Sequence, residues 1–288
     1  MYNILVTGAN GQLGSEISAL VVSYPQHHLF FTDVIELDIT NKEAIERFVS
    51  KNKINIIINC AAYTAVDKAE SEPELANIIN HLAVQYMAEV AKLHCCKFIH
   101  ISTDYVFDGT SYKPYLETDT PSPQSVYGIT KLAGEQAMQA INPANSIIIR
   151  TSWVYAKYGN NFVKTMLRLG NEKEEISVVA DQIGTPTNAA DLAKAILTIV
   201  PQINNEVVEI FHYSNEGICS WYDLAKAIFE IEGVSLKVSP IETKQYPTPA
   251  ERPFYSVLNK GRIKEKYQVE IPYWKDSLVR CLEIMGVK

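Results

Sequence analysis

The stretch NILVTGANGQLG, residues 3–14, places three glycines between a short apolar run and a segment with helical spacing. Residues 3–7 have the apolar character of a buried strand, and the apolar residues of 13–20 recur at the period of a helix. Glycines permit a tight turn there, and the helix that follows offers free backbone amides to an anion. The stretch therefore predicts a site for the pyrophosphate of a dinucleotide. The three glycines are Gly8, Gly11 and Gly14.

Further apolar runs alternate with helical patterns over the first 150 residues. Continuous apolar runs suit parallel strands that are covered on both faces, and strand–helix alternation implies right-handed crossovers. Thr40 with Glu43, and Ser71 with Glu74, have the spacing of capping boxes that begin helices. We predict an α/β fold with a doubly wound parallel, Rossmann-like sheet. The predicted strands are 28–32, 54–59, 97–102 and 146–150, and the predicted helices are 40–51, 71–94 and 126–141.

The alternation becomes less regular after Trp153. We predict a dinucleotide-binding domain at residues 1–155. Residues 156–288 are expected to form mainly a smaller C-terminal α/β substrate-binding lobe, with some segments that return to the first domain. The predicted helices of this part are 161–169, 189–199, 220–232 and 273–285, with short strands near Ile176, Glu209 and Leu236.

Composition excludes several classes of partner. The formal net charge of -7 argues against nucleic acid, which requires a concentrated basic surface. The five cysteines show no CxxC or histidine-paired spacing of a metal site, so we expect reduced thiols in a cytosol. The N-terminus lacks the pattern of a signal peptide, and no stretch approaches the roughly 18 apolar residues of a membrane helix. The sequence therefore predicts a cytoplasmic protein with no membrane partner.

The motif VYGITK, residues 126–131, carries the candidate chemistry. Tyr127 and Lys131 stand four residues apart, so a helix presents both side chains on one face. A free tyrosine titrates near 10, and an adjacent ammonium lowers that pKa, which makes the phenol a usable acid or base. Ser102, Thr103 and Asp104 end the predicted fourth strand, at the same edge of the sheet. We expect these groups to surround a reacting carbonyl.

Other residues are candidates for binding. Asp33 follows Gly14 by 19 residues, where an acid binds the ribose 2′-hydroxyl and favours NADH; capping of the loop is the alternative. Asp38 and Ile39 are candidates to flank the adenine, and residues 61–64 (AAYT) are expected to line the cofactor site. Trp153 is expected either to stack on a sugar or base or to pack in the core. Arg252 is expected either to bind a diphosphate or to form a surface ion pair.

Taken together, these motifs resemble the extended short-chain dehydrogenases/reductases, and within them the dTDP-4-dehydrorhamnose reductase family. The resemblance covers nearly the whole chain through AAYTAVDKAESEP, STDYVFDG, YGITKLAGE, RTSWVY, NNFVKTML and DQIGTPT, in that order. It implies reduction of the 4-keto group of dTDP-6-deoxy-L-lyxo-4-hexulose (dTDP-4-dehydro-L-rhamnose) with NADPH or NADH, by a homodimer. It further implies that Tyr127 donates the proton, that Lys131 assists it and that Thr103 orients the keto oxygen.

The same resemblance assigns binding residues. Substrate contacts would come from Asp104 and Trp153. Cofactor contacts would come from Gly11, Gln12 and Leu13 in the glycine loop and from Ala62, Tyr63 and Thr64 after the third strand. Two points depart from the family pattern: Tyr63 stands where the family often has histidine, and no motif locates ligands for the Mg2+ that the family is described as using through a dimer contact.

The residues leave two alternatives open. A 4-epimerase or 4,6-dehydratase of the same fold would keep its NAD bound, but a dehydratase is expected to carry an Asp-Glu pair after Thr103, where this chain has Asp104 and Tyr105. The second alternative is a non-catalytic NADP-binding regulatory subunit of methionine adenosyltransferase. Stoichiometric cofactor retained after purification would favour the first, and failure to oxidise NADPH with the keto-sugar would favour the second.

Overall fold

In the computed structural model, which describes residues 1–286, strands and helices alternate through the first half of the chain. The elements of this half are β1 Asn3–Thr7, α1 Gln12–Ala19, β2 His28–Thr32, α2 Lys42–Lys51, β3 Ile56–Asn59, α3 Val66–Ala69, α4 Pro73–Asn77, α5 Ala83–Leu93, β4 Lys97–Thr103, α6 Val126–Ile141 and β5 Ile147–Thr151. The remaining elements are β6 Val154–Tyr155, α7 Phe162–Glu172, β7 Glu175–Val179, β8 Ile183–Gly184, β9 Thr187–Asn188, α8 Ala189–Ile199, β10 Glu209–His212, β11 Cys219–Ser220, α9 Trp221–Glu232, β12 Lys237–Ile241, α10 Gly261–Tyr267 and α11 Trp274–Met285.

The central sheet has six strands in the order β10-β5-β4-β3-β1-β2, and every neighbouring pair is parallel. The chain builds outward from β1 to β2 and then returns to the other side of β1 with β3. The strand order therefore reverses at β1, and a crevice opens beyond the carboxyl ends of β1 and β3. The predicted α/β class with a doubly wound parallel sheet is confirmed.

Both faces of the sheet are covered, because its strands send apolar side chains alternately to either side. In β1, Ile4 and Val6 pack in one core together with residues of α1 and α8. Leu5 lies between them in sequence and packs in the other core, with residues of α2, α5 and α6. The isoleucine-rich strands β3 and β5 are buried at every residue for this reason. Packing on both faces holds the carboxyl ends of these strands in fixed positions.

The second part of the chain has a core of its own beneath α7, α9 and α11. It includes Tyr155, Phe229 and Trp274. Three elements from the same part lie instead with the central sheet: β10 pairs with β5, α8 packs against α1, and α10 packs against β10. The division of the chain near residue 155 stays a prediction.

Two predicted helix starts differ from the structure. Helix α2 is capped by Asn41, whose side chain accepts from the amide of Ala44, because the hydroxyl of Thr40 is donated to Asp38 instead. Helix α4 begins at Pro73 with no side-chain cap. The Ser71 hydroxyl donates to the carbonyl of Lys68 at 2.9 Å, so it is turned back toward α3 and does not cap α4. Residues 78–82 form one π-helical turn that joins α4 to α5.

Candidate active site

A cavity of about 960 Å³ lies at the carboxyl ends of the central strands. It extends from the glycine loop, past the end of β2, to α6 and the segment that follows β5. Of the residues predicted to form the site, two lie outside the lining, Gly14 and Tyr63. Those that line the cavity are Gly8, Gly11, Gln12, Leu13, Asp33, Asp38, Ile39, Ala62, Thr64, Thr103, Asp104, Tyr127, Lys131, Trp153 and Arg252.

The glycine loop requires glycine at its first and third positions. Gly8 has a φ of +64°, and a Cβ there would lie 2.6 Å from the amide nitrogen of Ala61. A Cβ on Gly14 would lie 2.4 Å from the carbonyl oxygen of Gly8, so Gly14 lets α1 pack against the loop without itself lining the cavity. Gly11 is the N-cap of α1 and offers no side-chain cap. The first amides of α1 are thus left for an anionic group.

The end of β2 places carboxylates beside this loop. The carboxylate of Asp33 accepts hydrogen bonds from the amides of Asn10 at 3.0 Å and Val34 at 2.9 Å. Asp33 therefore caps the loop and also lines the cavity, so the two roles that the sequence left open are compatible. The carboxylate of Asp38 accepts from the amide and the hydroxyl of Thr40.

Tyr63 is directed away from the cavity by its hydrogen bonds. Its amide donates to the side-chain oxygen of Asn80 at 2.8 Å, and its hydroxyl donates to Glu72 at 2.7 Å. The predicted cofactor contact of Tyr63 stays a prediction, and its ring is not part of the lining. Its neighbours Ala62 and Thr64 do line the cavity.

Helix α6 brings the candidate catalytic pair to the cavity. It begins at the N-cap Ser125, whose hydroxyl accepts from the amide of Gly128 at 3.2 Å. A Cβ on Gly128 would lie 2.2 Å from the carbonyl oxygen of Tyr105. Glycine at this position therefore lets the first turn of α6 approach the turn after β4. Tyr127 and Lys131 consequently reach the end of β4, where Thr103 lies.

The pKa of Tyr127 differs from the sequence-based expectation. Burial raises it well above its usual value, a hydrogen bond with Thr103 opposes that rise, and the charges of Asp104 and Tyr105 add to it. The expected lowering by Lys131 is absent. Lys131 directs its amine elsewhere: Nζ donates to the carbonyl of Ile101 at 2.7 Å and lies 3.3 Å from Nε2 of His100. The phenol is therefore held protonated, as a proton donor requires.

Burial also shifts the neighbouring groups. The pKa of Lys131 falls to about 8 because the buried ammonium is poorly solvated, although the charge of Glu135 opposes this. The pKa of Asp104 rises to about 6, again because of burial, while the hydroxyl of Thr103 donates to its Oδ1 at 2.9 Å and opposes the rise. Two groups at one wall of the cavity therefore change charge within about two pH units of neutrality, which is typical of functional sites.

Aromatic residues form another wall. Trp153 has a φ of +48°, and its ring stacks on Trp221 with centroids 3.6 Å apart and planes 10° apart. The ring also lies over Gly184, where a Cβ would come within 2.6 Å of it. Trp221 and Phe162 line the cavity too, and the sequence offered no signal for either of them. Trp221 lies on α9 and Phe162 on α7. These two helices reach the cavity only because they pack in the core of the second part of the chain.

Arg252 forms an ion pair at the edge of the cavity, and its contact with a diphosphate stays a prediction. Its guanidinium donates from Nη2 to the carboxylate of Asp67 at 2.6 Å, and the residue lines the cavity. Its side chain is only 20% exposed, so this ion pair is not an ordinary surface contact. A cation is thereby fixed beside Tyr105, whose pKa the charge of Arg252 lowers against the larger effect of burial.

Metal-binding side chains are not clustered in the described part of this single chain. Within residues 1–286 no three His, Cys, Asp or Glu side chains are grouped so that they could hold one. The Mg2+ that the resemblance implies therefore has no ligand set in this part of the chain, and no chemical step is assigned to it.

None of the helices in residues 1–286 is both long and apolar enough to cross a membrane.

Comparison with known proteins gives consistent similarities along the whole chain. The sequence model of the RmlD substrate binding domain family matches residues 2–287. The dTDP-4-dehydrorhamnose reductase of Aggregatibacter actinomycetemcomitans is 43% identical over 288 residues, which cover 96% of this chain and 97% of that protein. A crystal structure of a dTDP-4-dehydrorhamnose reductase from Clostridium acetobutylicum superposes with a TM-score of 0.93 at 44% identity, covering 99% of each chain. The enzyme of that name from Bacillus anthracis, in complex with NADP, has a TM-score of 0.93 at 40% identity, covering 98% of this chain and 99% of its own.

Proposed function

The chain belongs to the dTDP-4-dehydrorhamnose reductase family, and we propose that it reduces the 4-keto group of dTDP-6-deoxy-L-lyxo-4-hexulose to give dTDP-L-rhamnose. As a member of the family it is an NAD(P)H-dependent oxidoreductase. One observation carries the proposal: Tyr127, Lys131 and Thr103 line the same cavity as the glycine loop that ends in the N-terminus of α1.

The chain's own residues supply the proton and the positioning. We assign Tyr127 as the acid that protonates the sugar O4, because its raised pKa keeps the phenol protonated until the oxygen becomes strongly basic. Thr103 would orient the keto oxygen from the end of β4. Lys131 would exchange the proton that Tyr127 gives up, because its pKa of about 8 lies near the working pH. When bound, the reduced nicotinamide dinucleotide supplies the hydride.

The cofactor is assigned to the wall formed by the glycine loop and the ends of β1, β2 and β3. The first amides of α1 fit a pyrophosphate, and Asp33 stands where a ribose hydroxyl would donate a hydrogen bond to its carboxylate. An acid at this place favours NADH, because a 2′-phosphate would meet a like charge. We propose that the chain uses NADPH or NADH, with Asp33 setting the preference.

The dTDP-sugar is assigned to the opposite wall. Arg252 supplies a fixed cation for the diphosphate, and guanidinium groups bind phosphate oxygens bidentately. Asp104 and Trp153 would contact the sugar, since both line the cavity next to Thr103. The lobe of residues 156–288 would then serve the substrate and residues 1–155 the cofactor. We further propose that the protein is cytoplasmic and a homodimer.

The decisive experiment is oxidation of NADPH and of NADH by the purified protein with enzymatically generated dTDP-4-keto-6-deoxy-L-hexulose. We expect stoichiometric oxidation, and NMR of the product should show dTDP-L-rhamnose. A product with the other configuration at C4 would refute the proposed stereochemistry. No oxidation, together with tightly retained NAD, would replace the proposal with an epimerase or dehydratase. No oxidation, together with co-purification of a methionine adenosyltransferase, would replace it with a regulatory subunit.

A further inference from the structure

Beneath Lys131, a row of buried polar side chains crosses three neighbouring strands. Thr7, Asn59 and His100 are directly opposite one another in the registers of β1, β3 and β4. All three are at most 1% exposed. Thr7 donates to Oδ1 of Asn59 at 2.7 Å, Nδ2 of Asn59 lies 3.1 Å from Nδ1 of His100, and Nε2 of His100 lies 3.3 Å from Nζ of Lys131. The row ends at the candidate catalytic lysine.

The orientation of the Asn59 amide follows from a backbone contact. The amide of Ala61 donates to Oδ1 of Asn59 at 3.1 Å, and a backbone N–H can act only as a donor. The oxygen of Asn59 must therefore face Ala61, which directs its NH2 group toward His100. Nδ1 of His100 consequently accepts, so a neutral imidazole carries its single proton on Nε2.

That proton is directed at Lys131. A neutral amine has a lone pair that can accept from Nε2–H while one of its own N–H groups donates to Ile101, whereas an ammonium has no acceptor. If Lys131 were charged, its ammonium and the Nε2–H of His100 would be two buried donors that face each other without an acceptor. Burial is the largest cause that holds the pKa of His100 well below its usual range, which agrees with a neutral ring.

We propose that His100 is a positioning residue for the reduction: it donates from Nε2 to the amine of Lys131 and, with its tautomer fixed by Asn59, weakens the hold of the lysine on its proton. This role rests on the proposed function. The hydrogen bond from His100 brings the proton affinity of Lys131 close to neutral pH. Lys131 can then take up and release protons while Tyr127 gives up its proton and regains it.

Other charged groups face Lys131 and set the background against which His100 acts. Glu135 lies one turn further along α6 and raises the pKa of Lys131. Its charge is already paired, because the guanidinium of Arg150 on β5 donates to both of its oxygens. Tyr127 lies one turn earlier on α6, and Asp104 follows β4 at the same wall of the cavity. Within residues 1–286, His100 is therefore the neutral donor that acts on the amine directly.

The first test reads the tautomer without any turnover. Protein labelled with 15N-histidine gives long-range proton–nitrogen spectra that distinguish the two tautomers, and the six histidines give six patterns. The pattern missing from His100→Asn identifies His100. We expect the Nε2–H tautomer in the wild type from pH 6 to 8. The Nδ1–H tautomer or an imidazolium would overturn the proposal, whatever the enzyme reduces.

The second test follows the ionisation of Lys131 through its 13Cε shift. His100→Asn keeps an oxygen near the place of Nδ1 for Asn59 but lacks the donor to Lys131, whereas His100→Gln retains an amide that can reach it. We expect the pKa of Lys131 to rise by about one unit in His100→Asn, with the basic limb of kcat/KM rising with it, and by less in His100→Gln. His28→Asn, at an exposed histidine, is the control and should leave Lys131 unchanged. An unchanged Lys131 in His100→Asn would refute the role of His100, whereas a wild type that does not oxidise NADPH would refute only the proposed function.

Discussion

Replacement of Asp104 by asparagine should stabilise the protein, and increasingly so as the pH rises. Burial raises the pKa of this carboxyl from its ordinary value of 3.8 to about 6. The folded protein therefore binds the proton more tightly than the unfolded chain does. The stability that the protonated carboxyl contributes is fully present below pH 3.8 and is lost as the pH rises through about 6.

The magnitude follows from the two pKa values. The interval from 3.8 to about 6, at about 1.4 kcal/mol per pH unit, corresponds to about 3 kcal/mol of stability lost at high pH. Roughly half of this loss falls between pH 5 and pH 8. Asparagine has nearly the same shape and no charge, so Asp104→Asn avoids the loss. The difference in free energy of unfolding between the variant and the wild type should thus widen by about 1.4 kcal/mol over that range.

Thermal and urea unfolding of both proteins at intervals from pH 5 to pH 8 measures this difference. For a chain of this size, the widening corresponds to about 3–6 °C in the difference of Tm. Asp276→Asn, at an exposed carboxylate on α11, is the matched control and should show no such widening. A difference between Asp104→Asn and the wild type that is constant with pH, or that narrows, would show that the carboxyl is solvated in solution and would refute the reasoning. The same variant should lose affinity for the sugar, because a charged acceptor for its hydroxyls is replaced by a neutral amide with one acceptor oxygen.

Three further predictions concern the site. Tyr127→Phe should lower kcat by about 10²–10⁴-fold, because the proton donor is lost, while fluorescence titration shows NADPH binding within a few-fold of the wild type; retained turnover would remove Tyr127 from the mechanism. Gly128→Ala should destabilise the fold by about 1–3 kcal/mol in urea unfolding and reduce turnover, because its Cβ would lie 2.2 Å from the carbonyl oxygen of Tyr105; wild-type stability would mean that α6 does not need this close approach. Asp33→Ser should raise the ratio of kcat/KM for NADPH over NADH by about tenfold, since a like charge near the 2′-phosphate is removed, and an unchanged ratio would place the ribose away from Asp33.

The amino-acid sequence determined the features that depend on short-range spacing. Each of these patterns lies within a single turn, strand or helix. They are the glycine loop, the isoleucine-rich strands and the four-residue interval between Tyr127 and Lys131. Their periodicity alone fixes which face a side chain occupies. The parallel sheet and the wall on which the tyrosine and lysine meet could therefore be predicted. The starts of α2 and α4 could not, because Asp38 and Lys68 compete for the hydroxyls that would have capped them.

Only the tertiary structure decided the chemistry of these groups. The pKa of a buried side chain depends on everything that replaces water around it, and those neighbours come from distant parts of the chain. Lys131 was expected to lower the pKa of Tyr127, yet its amine is held by Ile101 and His100 from β4, so burial dominates instead. The stacking of Trp153 on Trp221 likewise required the packing of a second core. Local spacing determines which residues meet, whereas the summed burial and hydrogen bonding of the folded chain determine which of them carries a proton.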